Sequence, residues 1–152
     1  MSDTNIDRDH YRYFSDITTR WMDNDIYGHV NNVAYYSYFD TVANKFLIEE
    51  GGLKIQDAGI VGFVVASNCQ YLGPISYPEK IEVGFRANRI GGSSVEYGLA
   101  VFRPSETTAI AYGNFTHVFV NRQSNQSCPI PSAIRSALEA VLVAPSSNSK
   151  LN

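Results

Sequence analysis

Residues 20–40 of this chain read R-W-M-D-N-D-I-Y-G-H-V-N-N-V-A-Y-Y-S-Y-F-D. The stretch starts as the end of a strand, crosses a polar loop and continues into a long run with helical spacing. Gly28, followed by Asn31 and Asn32, precedes this run, and that order is a signal for a helix N-terminus. Such a terminus gathers unpaired backbone N–H groups and the positive end of the helix dipole. The sequence therefore predicts a long helix that begins near Asn31.

Two carboxylates, those of Asp23 and Asp25, lie in the loop just before the predicted helix. Backbone amides at a helix start can polarise a carbonyl group, and a carboxylate beside them can attack that carbonyl or activate water. We expect Asp25 to be the catalytic group; the alternative is that it only caps the helix. For Asp23 we expect a structural or solvated role.

The motif from Asp23 to Tyr35 has the pattern D-x-D-x-x-G-H-V-N-N-x-x-Y. It resembles the active-site segment of the hotdog-fold acyl-CoA thioesterases, the 4-hydroxybenzoyl-CoA thioesterase-like family, and the resemblance extends from about Thr18 to Val120. It implies that the second acid, Asp25, is catalytic. It also implies that subunits pair their sheets and form active sites between them, as a homodimer or a dimer-based homotetramer. The segment is similar as well to D-x-N-x-H of plant acyl-ACP thioesterases, although Tyr27 stands where those enzymes have Asn.

Further site residues are expected around the same helix start. Gly28 has no Cβ and lets backbone N–H groups approach a thioester oxygen closely, so the amides from Gly28 through His29 to Val30 are the predicted oxyanion donors. Which of these amides serves is left open. His29 is expected to orient the loop or the helix start, or to touch substrate. The predicted substrate contacts here are Tyr27, Asn31, Asn32 and Tyr35, with helix capping as the alternative for the two asparagines.

A second candidate segment would hold the phosphates of coenzyme A. Arg86 and Arg89 precede a turn of small residues that offers flexible amides and hydroxyl groups, namely Gly91, Gly92, Ser93 and Ser94. The run R-I-G-G-S-S resembles the corresponding family segment, where the nucleotide end of the ligand commonly lies. The alternative is a charged hairpin with a glycine turn.

The remaining pattern predicts an α+β fold with one long helix and about five strands. The helix is expected over residues 31–50, with Tyr35, Phe39, Val42 and Phe46 on one apolar face. Strands are expected at 14–22, 59–72, 80–90, from Val95 to Val101 and at 108–120, joined by short turns that imply an antiparallel sheet. Such a sheet would curl around the helix, and the name hotdog comes from the resemblance. We expect one domain over residues 1–152, with a core at 14–121, a C-terminal helix at 131–143 and a flexible tail at 145–152.

Composition narrows the class of protein. The chain has 152 residues, of which 44% are hydrophobic, and a net charge of −3, which argues against bulk binding to nucleic acid or anionic membranes. Two cysteines make no disulfide framework, and the first residues have no signal-peptide pattern, so a reduced cytoplasmic protein is expected. The three histidines and two cysteines lack metal-ligand spacing, and no P-loop or G-x-G-x-x-G occurs. No metal or cofactor is expected, apart from coenzyme A as part of the substrate.

The predicted function is hydrolysis of an acyl-CoA thioester to the free acid and coenzyme A. Asp25 would act as nucleophile or as general base, and both remain open. One alternative is a non-catalytic protein that binds acyl thioesters. Another is a hotdog enoyl-CoA hydratase, whose D-x-N-P-x-H pattern is missing because Ile26, Tyr27 and Gly28 follow Asp25. Acyl chain length, aromatic or aliphatic character, and coenzyme A or acyl-carrier protein are left open.

Overall fold

The computed structural model describes residues 6–53 and 59–143. Short 3-10 helices occupy Arg8–His10 and Trp21–Asp23. The strands are β1 (Tyr13–Thr18), β2 (Ile60–Tyr71), β3 (Lys80–Ile90), β4 (Ser94–Phe102), β5 (Ala111–Asn121) and β6 (Gln126–Ser127). The helices are α1 (Asn32–Glu49) and α2 (Ser132–Ala140).

The strands form one antiparallel sheet in the order β1-β3-β4-β5-β2, and β6 pairs with the end of β5. The apolar face of α1 packs into the concave side of this sheet. Phe46 of α1 stacks on Phe85 of β3 with ring centroids 4.6 Å apart, and Phe39 meets Phe115 of β5 edge to face. The predicted α+β hotdog fold, with a long helix wrapped by a curled sheet of about five strands, is confirmed.

The alternation read from the sequence matches the burial of the central strands. In β3, Ile81, Val83, Phe85 and Ala87 are buried, and in β4 the buried set includes Val95, Tyr97, Leu99 and Val101. One face of each strand therefore lies against α1. Burial of apolar surface between the sheet and α1 stabilises the position of the helix and of its N-terminus.

Several predicted boundaries were wrong. β1 ends at Thr18 rather than Met22, because the Arg20 N–H donates to the Asp23 carboxylate and the chain curls into a 3-10 helix. β5 begins at Ala111 rather than Thr108, since Thr108 instead forms an isolated bridge with Asp7. The predicted polar connection at 121–128 contains β6, and α2 ends at Ala140 rather than 143. The predicted tail at 145–152 lies outside the described residues.

Candidate active site

The polar loop before α1 folds as a small hairpin, which we call the motif hairpin (residues 23–31). Asn24 and Val30 form an isolated antiparallel bridge, and the Asp25 N–H donates to the His29 carbonyl at 2.9 Å. At the tip, the Gly28 N–H donates to the Asp25 carbonyl at 3.1 Å, with Gly28 at φ +84°. That φ lies in the left-handed region, which favours glycine over residues with a Cβ. The turn thus fixes the backbone of Asp25.

The Asp25 carboxylate has one oxygen held and one open. The Tyr27 N–H donates to Oδ1 at 2.8 Å, and within the described residues Oδ2 has no hydrogen-bond partner. The side chain is partly exposed. A carboxylate with a fixed backbone, a fixed rotamer and one open oxygen can meet an incoming carbonyl carbon or a water molecule.

The segment that follows β2 braces the motif hairpin from the side. The Val30 N–H donates to the carbonyl of buried Ile75 at 2.8 Å, and the Ser76 hydroxyl donates to the Gly28 carbonyl at 2.8 Å. The Tyr77 N–H donates to Oδ1 of Asn24 at 3.0 Å. These three bonds reach both arms and the tip of the hairpin, so its position relative to the core is defined.

The start of α1 shows which amides are engaged. Asn31 is the N-cap, and its side chain accepts a hydrogen bond from the Val33 N–H at 3.0 Å. Gly28 and Val30 already donate their N–H groups to carbonyl oxygens. Of the amides in this region, those of His29 and Asn32 have no acceptor among the described residues. These two N–H groups are therefore available to a ligand without breaking an existing bond.

A cavity of about 370 Å³ opens beside the helix start. Its lining residues come from two segments, His29, Val30, Asn32 and Tyr35 on one side and Tyr71, Leu72, Gly73 and Pro74 on the other. The first four were predicted as site residues, and the second four were missed. Asp25 does not line this cavity, although its N–H is bonded to the His29 carbonyl at the cavity wall.

Two tyrosines, Tyr35 and Tyr71, form part of the cavity wall. Tyr35 and Tyr71 meet edge to face with centroids 5.0 Å apart, and burial raises the pKa of Tyr35 to about 12. Burial also raises the pKa of the nearby Cys69 thiol to about 11. A thiol with that pKa is protonated at neutral pH and is a poor nucleophile. Asp25 is therefore a better candidate than Cys69 for covalent chemistry.

Tyr27 and Arg86 lie away from the cavity. The Tyr27 side chain is 79% exposed. The Arg86 guanidinium lies over the Tyr11 ring, 4.4 Å from its centroid, and donates to the His10 carbonyl. It also donates to Oδ1 of Asn88. Arg86 thus links β3 to the N-terminal segment.

The turn at residues 91–94, which we call the glycine turn, lies at the other end of α1. The Arg135 guanidinium of α2 donates to the Gly91 and Gly92 carbonyls. Gly51, just beyond the C-terminus of α1, packs against Ile134 of α2. A helix with the 18 residues of α1 is about 27 Å long. Within one chain, the glycine turn is therefore separated from Asp25 by the length of the helix.

Within 6–53 and 59–143, no three side chains of His, Cys, Asp or Glu are grouped closely enough to hold a metal ion. Neither α1 nor α2 combines the length and the apolar character needed to cross a bilayer.

Comparison with known proteins identifies the family. The model of the thioesterase-like superfamily matches residues 19–138, which is more than half of the chain. The solved PA5185 protein of Pseudomonas aeruginosa strain PAO1 is 50% identical with a TM-score of 0.88, over 90% of this chain and 96% of that one. The PA2801 protein of Pseudomonas aeruginosa is 31% identical with a TM-score of 0.74, over 82% and 95% respectively. The BH1999 gentisyl-coenzyme A thioesterase, 23% identical over 83% and 99%, has the same fold with a TM-score of 0.74.

The chain belongs to the thioesterase-like superfamily. Its enzyme class is thioester hydrolase.

Proposed function

We propose that this protein hydrolyses an acyl-CoA thioester to the free acid and coenzyme A, with Asp25 as the catalytic residue. One observation carries the proposal. The motif hairpin holds a carboxylate with an open oxygen next to a helix N-terminus that has unengaged N–H groups and borders a cavity. A group that can attack or activate water and a group that can stabilise an oxyanion thus occupy adjacent positions. The gentisyl-coenzyme A thioesterase with the same fold supports a coenzyme A ester as substrate.

Two routes use the same atoms. In the first, the Asp25 carboxylate attacks the thioester carbon, the C–S bond breaks, the coenzyme A thiolate leaves and water hydrolyses the resulting anhydride. In the second, Asp25 takes a proton from water as the water attacks, and that proton then passes to the departing thiolate. Both routes build negative charge on the carbonyl oxygen in the transition state. The N–H groups of His29 and Asn32 are the donors that we assign to this oxygen.

The cavity between the helix start and the end of β2 is the proposed acyl site. Apolar and aromatic side chains suit an acyl group, and Val30, Tyr35, Tyr71 and Leu72 are among the residues that line the cavity. The oxyanion donors border the same cavity. An acyl group lying there would bring its carbonyl to the helix start.

The experiment is release of free thiol from a panel of short-chain, long-chain and aromatic acyl-CoAs. Steady release from at least one member, absent without protein, is the expected result. Binding of acyl-CoA with no thiol release from any member would contradict the proposal and favour a thioester-binding protein.

We propose further that two copies pair through β2. Among the described residues, this strand pairs with β5 on one side and has no partner on the other, and it is the longer edge strand of the sheet. Three consecutive apolar side chains in it are exposed, Phe63 by 50%, Val64 by 44% and Val65 by 59%. An unpaired edge with exposed apolar residues invites pairing with another chain. Antiparallel pairing of β2 with its own copy would cover this surface and extend the sheet.

Such pairing would also bring the glycine turn near the active site. The Phe119 N–H donates to the Ser93 carbonyl, and β5 next to it pairs with the Ile60 end of β2. The Tyr71 end of β2 borders the cavity. An antiparallel copy would set its own Ile60 end, with its glycine turn, on the side of the first chain's cavity. A long ligand could then reach from Asp25 of one subunit to the turn of the other.

Adding lysines to β2 is expected to separate the subunits. The double change Val64→Lys and Val65→Lys would place two like charges from each copy at the pairing edge, which opposes association. Light scattering should show a loss of the native dimer, and thiol release should fall because the site is incomplete in one chain. Leu142→Lys is the control, since Leu142 is 44% exposed but lies beyond α2. A double variant that remains dimeric would rule out this interface.

Arg89 is expected to bind the phosphates of coenzyme A. Its side chain is 78% exposed and pairs with Glu96 at 3.5 Å, which an incoming phosphate could replace. In the adjacent turn, the Gly92 and Ser93 amides have no acceptor among the described residues. Arg89→Gln should raise KM for acyl-CoA about tenfold, because a charge-assisted hydrogen bond contributes about 1.5–3 kcal/mol. KM for the matching N-acetylcysteamine thioester, which lacks the nucleotide, should stay the same; an equal change for both substrates would contradict the assignment.

A further inference from the structure

The first acid of the D-x-D pair is buried, in contrast to the second. The Asp23 residue is only 4% exposed, whereas Asp25 is partly open to solvent. A buried carboxylate is costly unless several donors satisfy it. The sequence-based expectation of a structural role fits this burial, and the solvated alternative was wrong.

Four hydrogen bonds satisfy the Asp23 carboxylate. The Tyr38 hydroxyl donates to Oδ2 at 2.7 Å, and the Arg20 backbone N–H donates to the same oxygen at 2.9 Å. The Arg20 guanidinium donates to Oδ1 through Nη2 at 3.0 Å and through Nε at 3.2 Å. Burial acts to raise the pKa of Asp23, but the bonds from Tyr38 and Arg20 outweigh it and hold the pKa below its usual value.

The backbone of Asp23 is tied to the helix start as well. Its carbonyl accepts the N–H of Asn31, the N-cap of α1, at 2.8 Å. Tyr38 lies in the second turn of α1. Asp23 therefore joins the segment after β1 to the N-cap of α1 and to the second turn of that helix.

We infer that Asp23 and Tyr38 are positioning residues that hold the motif hairpin against the N-terminus of α1. They set the position of the Asp25 carboxylate relative to the N–H groups of His29 and Asn32. The inference rests on the proposed function in the sense that these are the groups to be aligned. The two acids of the D-x-D pair thus divide their roles: Asp23 holds the hairpin, and Asp25 acts on substrate.

Tyr38 is 5% exposed, so its hydroxyl has little water to replace a lost partner. Loss of the Tyr38 hydroxyl leaves Oδ2 of the buried Asp23 with the Arg20 N–H as its one remaining donor among the described residues, and loss of the Asp23 acceptor leaves the Tyr38 hydroxyl unsatisfied. Either loss costs about 1–3 kcal/mol. A shift of about 1 Å in a catalytic group can cost about a hundredfold in rate. A displaced hairpin would therefore affect the chemical step more than binding of the distant parts of the substrate.

The test uses Tyr38→Phe and Asp23→Asn in the full-length native assembly. Each is expected to lower kcat for acyl-CoA by about 10–100-fold while KM changes less than about threefold. Asparagine places an NH2 group where one carboxylate oxygen now accepts two donors, so Asp23→Asn disrupts the bonds at one of the two oxygens. The double variant should be no slower than the slower single one, because both changes loosen the same attachment of the hairpin. Glu82→Gln is the matched control, since Glu82 on β3 is a partly buried carboxylate that pairs with Arg8. An unchanged kcat in Tyr38→Phe, or an equal fall in Glu82→Gln, would overturn the inference.

A second measurement needs no activity. The Asp25, Val30 and Asn31 amides of the hairpin all donate hydrogen bonds, the first and third within the hairpin and Val30 to the Ile75 carbonyl. Their hydrogen exchange should accelerate about tenfold or more in Tyr38→Phe. Exchange in β3 and β4 should match that of Glu82→Gln. If hairpin exchange is faster in Tyr38→Phe but the native protein releases no thiol, the positioning role is upheld and the proposed function is rejected. Unchanged exchange there would reject the positioning role, whatever the activity.

Discussion

Asp25→Asn is expected to lower kcat for acyl-CoA hydrolysis by about a thousandfold. Asparagine has nearly the same shape, and its side-chain oxygen can still accept the Tyr27 N–H that now bonds Oδ1. The hairpin should therefore keep its fold. An amide, however, can neither attack a thioester carbon effectively nor take a proton from water at neutral pH. Because the substrate contacts remain, KM should change less than about threefold.

Steady-state thiol release over a range of acyl-CoA concentrations measures both constants. Asp40→Asn is the control, because Asp40 is exposed on α1 and its carboxylate accepts a hydrogen bond from the Asn44 side chain. Its kcat should equal that of the native protein. A similar fall in both variants would mean that the loss in Asp25→Asn reflects general damage. Native kcat in Asp25→Asn would move the search for the catalytic group to His29.

The second large effect concerns stability in acid. His117 on β5 is 1% exposed, its Nδ1 lies 3.0 Å from the Tyr97 hydroxyl, and burial lowers its pKa from 6.5 to about 4. Below about pH 6.5 the unfolded chain binds a proton that the folded chain excludes. The free energy of unfolding should therefore fall as the pH drops from about 6.5 to 4, by about 3 kcal/mol from this residue.

Urea denaturation at a series of pH values tests this expectation. Other groups also titrate in this range, so native protein is compared with His117→Gln, which cannot take up a proton but can still bond Tyr97. The difference between the two unfolding free energies should change by about 3 kcal/mol between pH 7 and pH 4. Parallel curves for the two proteins would show that His117 does not couple folding to protons. Gly62 packs directly on the imidazole, so a larger replacement would be a poorer comparison.

Local sequence signals predicted most of the fold. The periodicities of α1 and β3 are long and regular, and Lys80–Ile90 matches the predicted strand in both bounds. The end of β1 was harder to predict, because the hydrogen bond from the Arg20 N–H to the Asp23 carboxylate accompanies a 3-10 helix where an extended strand was expected. The two-residue β6 has no periodicity to detect. Boundaries set by side-chain bonds to the backbone are thus poorly visible in an apolar pattern.

The candidate site was only partly predictable. The motif placed His29, Val30, Asn32 and Tyr35 together, because they are close in sequence and share a helix start. The opposite wall, from Tyr71 to Pro74, depends on which strand end lies beside that helix start, and local pattern does not give strand order. The Gly73-Pro74 break was a usable signal, since it marks a chain reversal where β2 ends. The separation of Arg89 from Asp25 follows from the same strand order.

The different burial of Asp23 and Asp25 could be seen only in the three-dimensional structure. Alternation in an extended segment places both side chains on one face. The 3-10 turn and the hairpin instead bury Asp23 and leave Asp25 partly exposed. The partner that marks the difference is Tyr38, fifteen positions further along the chain.

The central claim is that the Asp25 carboxylate acts on a thioester held at the start of α1. The most direct measurement is a single turnover of acyl-CoA by excess protein, followed by rapid quench, for the native chain and for Asp25→Asn. The account predicts that both proteins bind the acyl-CoA and that only the native protein converts it quickly, with the variant slower by about a thousandfold. Conversion of bound acyl-CoA at the same rate by both proteins would contradict it.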